Sequence, residues 1–161
     1  MARSGGRRGR SDGRFGVPAA LKAAAELCLE RGVQFTEIRR RLLEALWHAG
    51  QPIGAYDLMP RLEAALGKRL APPTVYRALE FLMELGLVRR IESLNAFVPC
   101  AHPDHPHACV FFVCERCSAS IEVENRALER LIAEDATALG FEVSQRVVEL
   151  QGMCTHCRSA A

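Results

Sequence analysis

Apolar residues recur at helical spacing through the first half of the chain. Leu21, Ala24, Ala25 and Cys28 follow an i, i+3, i+4, i+7 series, which predicts an amphipathic helix from Pro18 to Arg31, closed by Gly32. Cys28 lies on that apolar face and reads as a small buried hydrophobe. Thr36 is placed to cap a second helix with Ile38, Leu42, Ala45, Leu46 and Ala49 inward. Gly50-Gln51-Pro52 marks a turn. A third series turns Leu58, Leu62, Ala65 and Leu66 inward. Pro60 interrupts it, lacks an N–H, and should kink the helix or delay its start. Pro72-Pro73 opens a fourth helix where proline is tolerated. Its Val75, Ala78, Leu79, Leu82 and Leu85 face a core, Tyr76, Arg77, Glu80 and Glu84 project away, and Gly86 stops it.

The period then shortens. Leu87–Glu92 and Ala96–Pro99 read as two strands of a hairpin joined by Ser93-Leu94-Asn95. Helices followed by a hairpin are the order of a winged helix, whose last helix enters the major groove of DNA. On that helix Arg77 suits a guanine edge, and Tyr76 a thymine methyl or a phosphate. The plainer alternative is a surface charge beside a half-buried ring. Beyond Pro99, a Cys109–Cys114 strand, an alternating Ala119–Glu124 strand, an Asn125-capped helix with Leu128, Leu131, Ile132 and Leu139 inward, and a Phe141–Gln151 strand form a β-β-α-β unit. Ile121 and Val123 fall on one face of the alternating strand, Glu122 and Glu124 on the other. So small a unit needs a partner surface, which predicts a homodimer formed through it.

Charge divides the chain. Residues 1–14 carry five arginines against one aspartate, residues 15–99 eleven basic against nine acidic groups, and residues 100–161 five against nine. The basic half suits a polyanion, and the acidic half suits cations. The first fourteen residues lack an apolar core, so they are no secretory signal. They read as a disordered tail in which Arg7, Arg8 and Arg10 either touch DNA phosphates or simply aid solubility. No apolar run is long enough to span a bilayer.

Seven cysteines, four of them in CxxC knuckles, fit a reducing cytoplasm better than a disulfide scaffold. Cys114-Glu115-Arg116-Cys117 and Cys154-Thr155-His156-Cys157 supply four soft ligands with the spacing of a tetrahedral zinc site. Zinc held this way contributes on the order of 10–16 kcal/mol of apparent binding energy, enough to fold the segment it brackets. A second ligand-rich stretch runs from Cys100 to His107. It contains a thiol, His102, His105, His107 and Asp104, with prolines that exclude a helix.

The stretches Ala55-Tyr56-Asp57-Leu58, Pro72-Pro73-Thr74-Val75-Tyr76-Arg77-Ala78-Leu79, Ile91-Glu92-Ser93, Phe97-Val98-Pro99-Cys100 and both knuckles resemble the ferric/zinc uptake regulator family, most closely its zinc uptake regulator branch. The resemblance covers about residues 18–158. It implies an α+β chain: an N-terminal winged helix, then a small β-β-α-β dimerisation domain with a four-cysteine zinc site. The implied boundaries are a basic tail at 1–17, a DNA-binding domain at 18–99, a metal-binding hinge at 100–108 and a dimerisation domain at 109–161. It places structural zinc on Cys114, Cys117, Cys154 and Cys157. A regulatory zinc falls on Cys100, His107 and Glu122, with His105, or alternatively His102, as fourth ligand. DNA contacts fall on Tyr56, Thr74, Tyr76 and Arg77. The branch often has a histidine ligand where Arg89 stands here, and arginine has no lone pair to give. Members usually also have proline where Glu37 follows Thr36.

The function so implied is a cytoplasmic, zinc-responsive repressor of zinc-uptake genes, acting on pseudo-palindromic operators, with two zinc ions per chain and no small-molecule substrate. A thiolate among the regulatory ligands favours zinc over harder-ligand metals. Three other readings stand beside it. One is a regulator on the same scaffold that senses iron, manganese or peroxide. Another is a thiol–disulfide oxidoreductase using one CxxC, against which counts the expected lack of a βαβ setting for either knuckle. The last is a constitutive DNA-binding protein with only the structural zinc.

Overall fold

A computed structural model describes residues 16–100, 109–143 and 146–159. The basic tail, including Arg7, Arg8 and Arg10, and the histidines of the linker lie outside the described residues. The chain divides into two compact units, residues 1–104 and 105–161.

The first unit contains α1 (Val17–Glu30), α2 (Glu37–Ala49), α3 (Ala55–Leu66), α4 (Pro72–Glu84), β1 (Val88–Ile91) and β2 (Ala96–Pro99). Antiparallel β1 and β2 form the wing, with Val88 opposite Pro99 and Ile91 opposite Ala96. A short 3-10 turn, Glu92–Leu94, joins them, and Asn95 takes the left-handed conformation at φ 47°. Ile53 bridges to Phe97 by two backbone hydrogen bonds and ties the α2–α3 turn to the wing. Leu42, Leu46, Leu58, Leu62, Val75, Leu79 and Leu82 are fully buried in one core.

Most of the expected inward positions of this unit are buried, and several others, among them Leu21, Ile38 and Leu66, are half-buried. Pro60 does not delay α3, which already begins at Ala55. Ala65, expected inward, is exposed next to the Gly67 turn that ends the helix. Leu43, outside the expected stripe, is buried, so the inner face of α2 is wider than a single stripe. Thr36 stands at the N-cap of α2, but its side chain makes no capping hydrogen bond. The arginines that follow are engaged within the unit. Arg41 pairs with Glu37 at 2.8 Å and Glu44 at 3.1 Å. Arg39 lies over the Phe81 ring and donates to the Gln34 carbonyl.

The second unit contains β3 (Cys109–Cys114), β4 (Ser120–Glu124), α5 (Arg126–Ala138), β5 (Val147–Gly152) and α6 (Thr155–Ser159). The Asn125 side chain accepts from the N–H groups of Ala127 and Leu128, as a helix cap should. Strand β3 is central, antiparallel to β4 and parallel to β5. The last strand is shorter than the periodicity suggests. Residues 141–143, expected in the Phe141–Gln151 strand, are not in a strand, and β5 begins only at Val147. The expected inner face of α5 has no buried residue, and Leu139 and Phe141 are 79% and 72% exposed.

Burial separates two positions that the helical periodicity treats alike. Leu79→Ala is expected to cost about 2–5 kcal/mol, as buried leucine truncations do. Ala65→Lys is expected to stay within about 0.5 kcal/mol, as ordinary surface changes do. Urea unfolding followed by the fluorescence of Trp47, which packs against the same core, measures both.

Candidate metal centre and nucleic-acid interface

The metal centre is built by strand direction. Because β3 and β5 run parallel, with Cys114 opposite Gly152, the two strands end at the same edge of the sheet. Each runs straight into a knuckle there. The Glu115 N–H donates to the Gly152 carbonyl at 2.9 Å and fixes the register across the gap. Each knuckle closes on itself, through Ser118 N–H to Cys114 carbonyl at 2.9 Å and Arg158 N–H to Cys154 carbonyl at 3.0 Å. Ser118 adopts φ 57°, the left-handed conformation that lets the first knuckle turn back. Both knuckles therefore do follow strands, with a crossover helix between those strands. That corrects the expectation drawn against an oxidoreductase; what opposes that reading is the clustering of all four sulfurs.

The ligand atoms of Cys114, Cys117, Cys154 and Cys157 all lie within 4.8 Å of one another. Among the described residues no other group of three or more His, Cys, Asp and Glu is so placed. Cys117 and Cys154 sulfurs are 3.9 Å apart. A tetrahedron with zinc–sulfur bonds of about 2.3 Å has edges of about 3.8 Å, so the donor set fits that ion. Cys28, Cys100, Cys114, Cys117, Cys154 and Cys157 are free of disulfides.

Hydrogen bonds prepare these sulfurs unequally. The Cys154 N–H points at the Cys114 sulfur at 3.4 Å. With the N–H groups of Cys117 and Arg116, it draws the Cys114 thiol down to about 6. Burial pushes Cys157 up to about 12, reinforced by hydrogen bonding to the neighbouring cysteines. Arg116 reaches across to the Cys157 carbonyl at 3.2 Å and links the two knuckles. The sequence pattern did not assign Arg116 this part, although a basic residue between two thiolate ligands was the available signal.

The expected regulatory ligands are described only in part. Cys100, 3% exposed, ends the wing in the first unit, and its N–H donates to the Leu87 carbonyl at 2.9 Å. Glu122 lies half-buried on β4 of the second unit. His102, His105 and His107 lie outside the described residues.

On the first unit, α4 buries Val75, Ala78, Leu79 and Leu82 and turns Thr74, Tyr76 and Arg77 to solvent. Tyr56 projects from α3 and is 70% exposed. Arg77 has no ion-pair partner among the described residues, which leaves its guanidinium donors available for a base edge or a phosphate.

Zinc requires thiolates, so its retention depends on pH. At neutral pH Cys157 must give up a proton to bind, whereas Cys114 is already largely deprotonated. The affinity is therefore expected to fall as pH falls, and to fall about one proton more steeply below about pH 6, where Cys114 also takes up a proton. Competition with a chromophoric chelator between pH 5 and 8 measures the slope (about one extra proton per zinc in the acid limb). Cys154→Ser is expected to abolish tight retention and unfold the second unit.

A family model, the ferric uptake regulator family, matches residues 30–151. The zinc uptake regulation protein of Escherichia coli K12 is 37% identical over 138 residues, covering 85% of this chain and 80% of that protein. The peroxide operon regulator of Bacillus subtilis is 31% identical over 142 residues, covering 85% and 92%. Among solved structures, a zinc uptake regulator complexed with zinc and DNA superposes with a TM-score of 0.82 at 34% identity, over 91% of this chain and 98% of that one. Holo XcZur gives 0.73 at 40% identity, over 88% and 97%. The four-sulfur knuckle unit and the winged helix with its exposed Tyr76 and Arg77 thus occur together in a chain that belongs to the ferric uptake regulator family.

Proposed function

We propose that this chain is a zinc-responsive transcriptional repressor of zinc-uptake genes, acting in the cytoplasm as a homodimer on pseudo-palindromic operators. The observation that carries the proposal is the pairing of a four-sulfur centre with likeness, over 85% of the chain, to a zinc uptake regulation protein. No helix among the described residues is long and apolar enough to cross a membrane.

Residues 18–99 form the DNA-binding domain in this reading. Arg77 reads a base edge, and Thr74, Tyr76 and Tyr56 contact the backbone or neighbouring bases. Cys114, Cys117, Cys154 and Cys157 hold a structural zinc. Residues 100–108 are a hinge, where Cys100, His107, Glu122 and either His105 or His102 hold the regulatory zinc. Bound there, zinc supplies a Lewis-acid centre that ties ligands from 100–108 to Glu122. The protein's part is to make those ligands converge better in the DNA-competent arrangement than in any other. Moving an equilibrium from 1:99 to 99:1 takes a preference of about 10⁴-fold. Residues 109–161 carry the dimer contact. The exposed Leu131, Leu139 and Phe141 support this, as does a hollow of about 640 Å³ lined by Phe112, Ile121, Leu150 and Met153.

The sister reading, a peroxide-, iron- or manganese-responsive regulator, is favoured by the 31% identity to the peroxide operon regulator. Cys100 speaks for zinc, because a thiolate prefers it to the harder-ligand ions. Titrating operator binding with zinc, iron(II) and manganese(II) separates the two. Zinc alone is expected to support binding at nanomolar free ion or below; response to iron(II) with indifference to zinc would reverse the assignment.

Two substitutions test the residue roles in the same assay. Cys100→Ser is expected to weaken metal-dependent operator binding at least tenfold while leaving the folded dimer intact by sedimentation. Arg77→Ala is expected to cost about 1–3 kcal/mol of operator affinity and to relax preference at one base pair of each half-site.

A further inference from the structure

The turn between α3 and α4, Gly67-Lys68-Arg69-Leu70-Ala71, is held more firmly than an ordinary surface loop. Gly67 closes α3 in the left-handed conformation, φ 65°, and its N–H donates to the Glu63 carbonyl at 2.9 Å. The side chain of the same glutamate accepts from the Leu70 N–H at 2.8 Å. Glu63 thereby pins both ends of the turn, and Leu70 packs half-buried against the core. Between the pins, Lys68 and Arg69 are exposed, with no ion-pair or hydrogen-bond partner among the described residues. By contrast, Arg39 and Arg41 are bound up by Phe81, Gln34, Glu37 and Glu44.

The start of α4 gives that basic pair a purpose. A helix N-terminus ordinarily offers free N–H groups to a phosphate. Here Pro72 and Pro73 have none, and the Thr74 N–H is engaged with the Ala71 carbonyl at 2.9 Å. A DNA backbone passing this end of α4 finds no backbone donor on the first three helical residues. Side chains must supply the grip. Two cations without a partner among the described residues sit three and four residues ahead of Pro72, on a turn hydrogen-bonded to Glu63 at both ends.

We propose that Lys68 and Arg69 are a phosphate clamp on the operator backbone, and that Glu63 is the positioning residue that holds the clamp in register with α4. The proposal rests on the reading of α4 as the DNA-entering helix. The clamp sets affinity and its salt dependence; Arg77 sets sequence preference.

The test uses the full-length, zinc-loaded protein, with an operator duplex and a scrambled duplex, and anisotropy measured across a range of KCl concentrations. Each phosphate contact contributes about 0.9 to the slope of log K against log salt. Lys68→Ala and Arg69→Ala are each expected to lower that slope by about 1.8, because a dimer loses two contacts. Both duplexes should weaken in parallel, leaving the operator-to-scrambled ratio within twofold of the parent. Glu63→Ala is expected to lower the slope as well, whereas Glu63→Gln, which keeps an acceptor oxygen for Leu70, restores it. A Glu63→Ala protein that melts earlier but keeps the full slope would make Glu63 merely structural and overturn its positioning role. An unchanged slope in Lys68→Ala and Arg69→Ala, with parent binding intact, overturns the clamp alone. A change in the operator-to-scrambled ratio would make the pair base-reading and also overturn it. Failure of the parent to bind either duplex would remove the DNA-binding reading itself, and the clamp with it.

Discussion

Parallel pairing of β3 with β5 is the constraint on which the second unit depends. Antiparallel neighbours would carry their C-terminal ends to opposite edges of the sheet and leave the two knuckles a strand length apart. With Cys114 opposite Gly152, each strand delivers its CxxC to the same edge, and four sulfurs come within 4.8 Å. The crossover through α5 makes that pairing possible, since parallel strands need a long connection. The sheet has only three strands, and neither β4 nor β5 has a further strand beside it among the described residues. Such a unit has little core of its own. A metal-linked edge and a partner surface are two physical routes to the missing stability.

The first unit works on a different principle. Its helices bury leucines from three directions around α2, and this leaves α4 with one face in the core and the other in solvent. Charge is distributed accordingly. Arginines at the start of α2 are held by glutamates and aromatic rings, while Lys68, Arg69 and Arg77 around the start of α4 have no such partners among the described residues. Cations kept out of internal ion pairs retain their full attraction for a polyanion.

Much of this was legible in the sequence because it rests on periodicity and spacing. The stripes through Leu42, Leu58 and Leu79, the Asn125 cap, the wing hairpin and the two CxxC pairs each carry a local signal tied to one physical cause. The sequence was silent where the cause is not local. Nothing in a strand pattern tells whether β3 and β5 run parallel, so the convergence of the knuckles had to be assumed from their number. Pro60 argued for a later start to α3, but tertiary burial of Ala55 and Leu58 prevails over the local preference. Leu131 and Leu139 read as core residues from their spacing, yet they are exposed in a single chain. Helical periodicity identifies an apolar face without saying which molecule covers it. The Glu63–Leu70 bond joins residues across a turn and has no signature in composition.

In the proposed function, the zinc that maintains the fold and the zinc that controls DNA binding are separate ions. Measuring zinc per chain alongside operator binding, in one titration of dialysed protein, tests that division most directly. The expected result is one zinc per chain retained through dialysis without operator binding, then binding that rises only as a second equivalent is taken up. Full operator binding at one zinc per chain, unchanged by a second, would contradict it.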